Sequence, residues 1–571
     1  MLDYRMYKKT PPQMKLFGIE SKISPSLRAR LESSWAQVFR DQVLPLLMKK
    51  EDDYALLYGK TGRPNFSIAR LLGLCLLQEW NDFSDQDALD AYSFDIRWRY
   101  ALDVSDEEDY LSRRSLVEFR HRLAAKDPEM KLIRTVFDSI RDTAIKNLGL
   151  STSSQRLDST HIVSNIRLRG RVVLFANTLK YFLKSLDKDH FSRVPERIRT
   201  WHAQEPEGWF GLGPSEQKAK LEELARYTYE LVLIFEHDEI GEPYELLSRL
   251  LSEQCDIDSS DGQPKVQLKK KTKGATLQSP FDPDASCGHK GPGYSLHVTE
   301  TCANTKTEIV TDYEVHGAAR SDIGKALSVI ERLDTAGLKP EVLFADGGYP
   351  SVPSGPKITE QGIDFVAPVN RSRLADEVVG RDLFVFDTEG LVETCPMGHS
   401  PLDHRILSGN NSTRRSLHAL FDGDTCRSCT MLESCPVRAP NHRDKGCGPR
   451  DTVGDFRLEI TPELRLRDEM YALQQTVEWK ERYKIRAGIE ATNSELKRTH
   501  GIGKLRVRRW AKVCLAVALK VTACNIKRWI RALKGLLGGN PSALYACFTL
   551  SAGRIEVFLF EERLRVMMAT F

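Results

Sequence analysis

Between Tyr483 and Arg498 the chain sorts its side chains by helical phase. At about 100° of rotation per residue, Tyr483, Arg486, Glu490 and Lys497 fall within one narrow stripe. Ile485, Ile489, Thr492 and Leu496 occupy the opposite side, so KIRAGIEATNSELKR predicts an amphipathic helix with its back on a core. The outward face then carries one carboxylate flanked by two cations and a phenol. Such a face suits a divalent metal at Glu490, with Arg486, Lys497 and Tyr483 meeting phosphates around a reacting bond. The competing reading is a solvated face with incidental charges.

A metal needs more than one carboxylate, and two aspartates sit where a strand would deliver them. In QRLDSTHIVSN, Asp158 follows a short apolar run in extended sequence. In PEVLFADGGYPS, Asp346 ends the buried-type strand Val342 to Ala345, just before a Gly-Gly turn. Either is also an ordinary turn or cap residue when taken alone; the pair gains weight only with Glu490.

Asp158, Asp346 and Glu490 in this order, with Tyr-x2-Arg-x3-Glu-x6-Lys around the glutamate, resemble the DDE transposases of bacterial insertion sequences. GRPNFSIARLLGLCLLQEWNDFSDQDALDAYSFDIRWRYAL and YLSRRSLVEFRHRL are similar to the helical domain that precedes such cores. HKGPGYSLHVTETC and TEIVTDYEVHGAARSD look like their second and third strands. The resemblance implies an α/β protein with an RNase H-like mixed-sheet core, in which Asp158, Asp346 and Glu490 bind two magnesium or manganese ions. It further implies that Arg486 and Lys497 hold terminal phosphates of double-stranded DNA, supported by Tyr483, and that a homodimer forms on the DNA. The implied mechanism is two-metal phosphoryl transfer: cleavage at the element's end, then attack of the liberated 3′ hydroxyl on target DNA.

The remaining composition fits this class. The net charge of +4 is small for a DNA-binding chain, but residues 481–534 hold fifteen Lys or Arg against Glu481, Glu490 and Glu495. Within that window GKLRVRRWAK places Lys504, Arg506, Arg508, Arg509 and Lys512 around Trp510, suited to phosphate contacts and base stacking. No run of eighteen apolar residues appears, and the first residues lack a signal-peptide pattern, so the expectation is a cytoplasmic, nucleoid-associated protein without membrane contact. No phosphate-cradling GxxxxGK[ST] occurs, so ATP is not expected.

Along the chain, residues 1–150 read as an N-terminal helical domain for DNA ends or assembly, with Phe94, Trp98 and Tyr100 as core aromatics. Residues 151–169 and 288–370 read as the first parts of the core, 170–254 as a helical insertion and 255–287 as a flexible linker whose lysines at 269–271 are solvated. Residues 371–461 form a Cys-rich insertion, 462–535 the Glu490 helix and basic segment, and 536–571 a tail. Twelve cysteines without a secretion signal argue for thiols or metal ligation over disulfides. Cys426-Arg-Ser-Cys429, Cys435 and Cys395 supply enough thiolates for one tetrahedral structural zinc, with Cys447 or His399 as substitutes; unliganded thiols are the alternative. His161 falls on the strand face opposite Asp158, and His316 reads as a turn residue capping the next helix. Two rival functions share these features: a metal-dependent nuclease that does not join DNA, and a transposase-derived DNA-binding protein without catalysis.

Overall fold

The structure is a computed structural model, and it describes residues 5–9, 19–104, 110–166, 170–204, 213–258, 264–302, 307–350, 354–369, 379–408, 415–437 and 456–536. The chain opens with a helical bundle that includes α1 (Ile68–Asn81), α2 (Asp85–Phe94), α3 (Arg113–Lys126) and α4 (Lys131–Leu148). Three of these begin where a serine side chain accepts an otherwise unpaired backbone N–H: Ser67 from Arg70, Ser84 from Asp87 and Ser112 from Ser115. Ser84 and Asp87 close a full capping box. The apolar stripes meet at Leu72, Leu76, Leu116, Phe119, Ile133 and Ile140. Trp98 and Tyr100 are buried there as expected, but Phe94, the last residue of α2, is 85% exposed. Its spacing matched the apolar stripe; the helix ends before that face is covered.

Strand β1 (Ser154–Val163) follows, and after it the helical insertion with α5 (Arg171–Leu183), α6 (Pro214–Ile234) and α7 (Glu242–Gln254). These close on their own core of Phe175, Phe182, Leu231, Phe235 and Leu247. In the stretch expected as a linker, Cys255–Asp258 and Lys265–Leu268 pair as antiparallel strands.

The main sheet is completed by β2 (Ser286–Gly288), β3 (Gly291–Thr301), β4 (Val310–Gly317), β5 (Val342–Ala345) and β6 (Asp364–Val366). From one edge the order is β6, β5, β1, β3, β4, with β2 also paired to β3. β5 runs parallel to β1 and to β6, whereas β3 is antiparallel to both β1 and β4. Odd-numbered positions of β1 face α8 (Lys325–Thr335), whose Val329, Ile330 and Leu333 pack on Leu157 and Leu343. Even-numbered positions face the opposite layer, made by α9 (Ile489–Arg498) and α10 (Trp510–Leu536), where Ile162 and Val298 meet Leu496, Val513 and Val517. In sequence between β6 and α9 the chain makes the Cys-rich insertion, a three-stranded antiparallel sheet of Asp403–Ser408, Arg415–Phe421 and Phe456–Ile460 whose Ala419, Phe421 and Leu458 share a core with Phe384 and Val392.

Helix α10 belongs to two cores. One face carries Val513, Val517, Val521 and Cys524 against the sheet, and the other carries Leu515, Leu519, Ile526, Trp529 and Ile530 into the N-terminal bundle. No helix among the described residues is long and apolar enough to cross a membrane. Trp529 is fully buried, so Trp529→Ala is expected to cost about 3–5 kcal/mol. Urea unfolding followed by both far-ultraviolet dichroism and tryptophan fluorescence would check this, with both signals moving to the same lower midpoint.

Candidate active site

Asp158, Asp346 and Glu490 arrive from three elements and converge on one cation. Asp158 lies in the middle of β1 on the even face, Asp346 immediately follows β5, which lies beside β1, and Glu490 is in the first turn of α9. The Arg486 guanidinium stands among them: Nη2 is 2.9 Å from Asp158 Oδ1 and 3.6 Å from Asp346 Oδ2, and Nη1 is 3.0 Å from Glu490 Oε1. Asp158 is buried, whereas the Asp346 and Glu490 side chains are 56% and 67% exposed. Burial raises the Asp158 pKa, Arg486 opposes that shift, and the Asp346 charge adds to it. Burial alone would lower the Arg486 pKa, but Asp158, Tyr483, Asp346 and Glu490 together hold it above its ordinary value. Three carboxylates gathered around one positive group form a donor set of hard oxygens, which fits divalent magnesium or manganese.

The segment expected as one continuous helix is divided. A first helix, Val477–Tyr483, passes into a 3-10 turn at Lys484–Gly488 before α9 starts. The turn keeps Tyr483, Arg486 and Glu490 on one side while letting the chain cross the end of the sheet. The Tyr483 hydroxyl donates to the Ala345 carbonyl at 3.1 Å, one residue before Asp346. Tyr483 therefore ties the glutamate segment to the strand that carries the second aspartate, and its ring stacks on Trp479 with centroids 4.7 Å apart.

Several positioning residues gave no signal in the sequence. Asn493, one turn beyond Glu490, donates to Asp158 Oδ2 at 3.0 Å. Arg156, two residues before Asp158 on the same face, donates through Nη1 to the Ile485 carbonyl at 2.9 Å and through Nε to Glu300 at 2.8 Å. Glu300 on β3 is wholly buried and also accepts from Thr492 at 2.5 Å and Arg528 at 2.9 Å. A Cβ on Gly488 would lie 2.0 Å from Arg156 Nη1, so a side chain there would have to push that guanidinium away from Glu300 and the Ile485 carbonyl. A glycine two residues before the motif glutamate was the one visible clue.

A cleft of about 1080 Å³ opens between the N-terminal bundle and the core, lined by Lys497, Lys504, Arg506, Arg508, Arg509 and Lys512 from one side. The bundle contributes Arg113, Arg120 and His121, which sequence reasoning did not single out. The basic run is not uniformly available to a ligand. Arg506 donates to the carbonyls of Phe83 and Asp82, Arg508 to that of Asn165, and Arg509 is paired with Glu242 at 2.6 Å. Trp510 packs on Tyr294 with ring centroids 5.9 Å apart. Lys497 and Lys504 are exposed on the cleft wall.

Away from the carboxylates, Cys395, Cys426, Cys429 and Cys435 line one cavity of about 330 Å³ together with His399. Burial, then the neighbouring thiols of Cys435, Cys395 and Cys429, push the Cys426 thiol up to about 11. These four cysteines share one cavity, but their sulfurs do not form a cluster within 4.8 Å of one another, so a tetrahedral zinc would have to draw them closer. Cys447, the other candidate thiol, lies outside the described residues. His316 departs from the role expected of it: it caps no helix, and its Nε2 faces Nε2 of His297.

Two families of known proteins match this chain. A Transposase DDE domain matches residues 394–530, which include Tyr483, Arg486, Glu490 and Lys497, and a Transposase domain (DUF772) matches residues 33–122 in the helical bundle. The two matches together indicate a DDE-type transposase of an insertion sequence. No curated protein and no solved structure matches the chain.

Gly488→Ala is expected to displace Arg156 and with it the α9 N-terminus, cutting activity on DNA by about 100-fold through misplacement of Glu490. Gly488→Ala and Glu490→Gln measured side by side would check this: only the alanine variant should also lower the melting temperature.

Proposed function

We propose that the chain cuts DNA at the ends of a mobile element and joins those ends to target DNA, with Asp158, Asp346 and Glu490 as the metal-holding catalytic residues. The observation that carries the reading is the convergence of these three carboxylates on Arg486 inside a chain with two transposase domains. The sheet supports an RNase H-like core: leaving aside the short β2, antiparallel β1, β3 and β4 are followed by β5 and β6 parallel to β1, with an aspartate on β1 and another just after β5.

Divalent cations held by these carboxylates would make a water or a 3′ hydroxyl more acidic and stabilise the departing oxygen. The protein's own groups do the rest. Arg486 pairs with all three carboxylates and offsets part of their charge, and with a divalent cation held there instead its guanidinium would be free to meet a DNA phosphate. Asn493 fixes the orientation of Asp158, and Tyr483 fixes the end of β5. Lys497 and Lys504 draw the duplex backbone along the cleft wall, while Arg506, Arg508 and Arg509 shape that wall through their own internal bonds. Bond energy is conserved in transesterification, which needs no nucleotide cofactor. Joining two ends calls for a homodimer on DNA, with one structural zinc in each Cys-rich insertion ordering that module.

The test uses purified protein, labelled end DNA and a supercoiled target, with Mg2+ or EDTA. Metal-dependent joined product is expected from the wild type and none from Glu490→Gln or Asp346→Ala, with end binding by Glu490→Gln retained. Arg486→Ala is expected to weaken end binding. Cleavage without joining would replace this reading by simple hydrolysis. In the same binding assay Lys504→Ala should reduce the slope of log affinity against log salt by about 1.

A further inference from the structure

On the face of β1 opposite Asp158, three potential ligands meet, two of them fully buried. His297 of β3 and His316 of β4 are both about 1% exposed, and their Nε2 atoms face one another. Asp322, from the loop before α8, places Oδ1 3.4 Å from His297 Nε2 and 3.9 Å from His316 Nε2. All three donor atoms lie within 4.8 Å of one another. Bonds of about 2.0–2.1 Å to a tetrahedral zinc put neighbouring donors about 3.3 Å apart, close to the separations from Asp322.

The outer contacts fix which atoms can act as ligands. His316 Nδ1 lies 2.9 Å from the Gly317 carbonyl, which only accepts, so Nδ1 carries the proton and Nε2 presents a lone pair. His297 Nδ1 lies 2.5 Å from the Tyr349 hydroxyl, which can accept a hydrogen bond from Nδ1–H and so leave Nε2 bare as well. The second Asp322 oxygen is held by the Ser159 hydroxyl at 2.8 Å. Each ligand thus has an outer partner that orients it, the arrangement metal-bound histidines and carboxylates ordinarily have. The cations nearest this cluster are Lys325 and Arg332. Those two cations are themselves engaged, Lys325 by Glu314 at 2.7 Å and Arg332 by Asp312 at 2.8 Å.

We propose that His297, His316 and Asp322 form a second transition-metal site, for zinc or a similar borderline divalent ion, that clips β3, β4 and the loop before α8 behind the carboxylate centre. Two imidazoles and one carboxylate suit such a cation better than magnesium. The clip reaches the carboxylates from behind: Ser159 is adjacent to Asp158, Tyr349 is three residues past Asp346, and a Cβ on Gly348 would touch Asp322. Its role is positional, and it is independent of whether the chain joins DNA.

The full-length protein, stripped with chelator and reloaded with Zn2+ in excess Mg2+ to fill oxygen-only sites, would be measured by zinc X-ray absorption and metal analysis. The expected spectrum contains imidazole scattering, and this component should disappear in Asp322→Asn and His316→Gln. Tyr349→Phe keeps every ligand and should weaken zinc by about 10- to 100-fold, a loss read by competition with a chelating dye. Circular dichroism of each metal-free variant reports whether the fold survives. Only sulfur neighbours in the wild type, no bound zinc at all, or equal zinc affinity in folded Asp322→Asn would overturn the proposal. If a ligand variant does not fold, the wild-type spectrum and the Tyr349→Phe affinity decide it.

Discussion

Glu300 is a carboxylate with no access to solvent, and the carboxylate end of the molecule is assembled around its neutralisation. An uncompensated charge at such a place costs several kcal/mol, so its partners must arrive together for the fold to be stable at all. They come from three directions: Arg156 from β1, Thr492 from α9 and Arg528 from α10. Arg528 also reaches Glu495 on α9 at 2.8 Å, and Arg156 also holds the Ile485 carbonyl. The strand with Asp158 and the helix with Glu490 therefore cannot shift relative to each other without breaking this buried network. Precision at the exposed carboxylates is inherited from order beneath them.

That dependence explains what could be read from the chain without a structure. Asp158, Asp346 and Glu490 stand out because strand alternation, a Gly-Gly turn and helical phase are all local, and local patterns survive in sequence. Arg156, Glu300, Thr492 and Arg528 are far apart in the chain, and nothing in their neighbours distinguishes a buried ion network from surface charge. The 3-10 turn at Lys484–Gly488 escaped for a related reason: the i, i+3, i+7 spacing of the motif tolerates a tightened turn without losing its face. Arg509 illustrates the reverse error. In sequence it belongs to a basic run beside the motif, but in space Glu242, from an insertion more than two hundred residues earlier, absorbs its charge.

The same logic separates the two histidines considered earlier. Alternation along β1 places His161 away from Asp158, and no second strand was needed to say so. His316 depends on β4 lying beside β3, because only that pairing brings it to His297. Register between strands, unlike alternation within one, is a tertiary fact.

Helix α10 completes the core of a bundle whose other helices end at Leu148. A nascent chain must therefore hold the apolar surfaces of α1, α3 and α4 uncovered until Trp510–Leu536 has left the ribosome. At roughly 5–20 residues per second, synthesis of everything between takes from about twenty seconds to over a minute. During that time the apolar patch that Leu519, Trp529 and Ile530 later cover has no partner from its own chain, and a chain ending before α10 would keep that patch open.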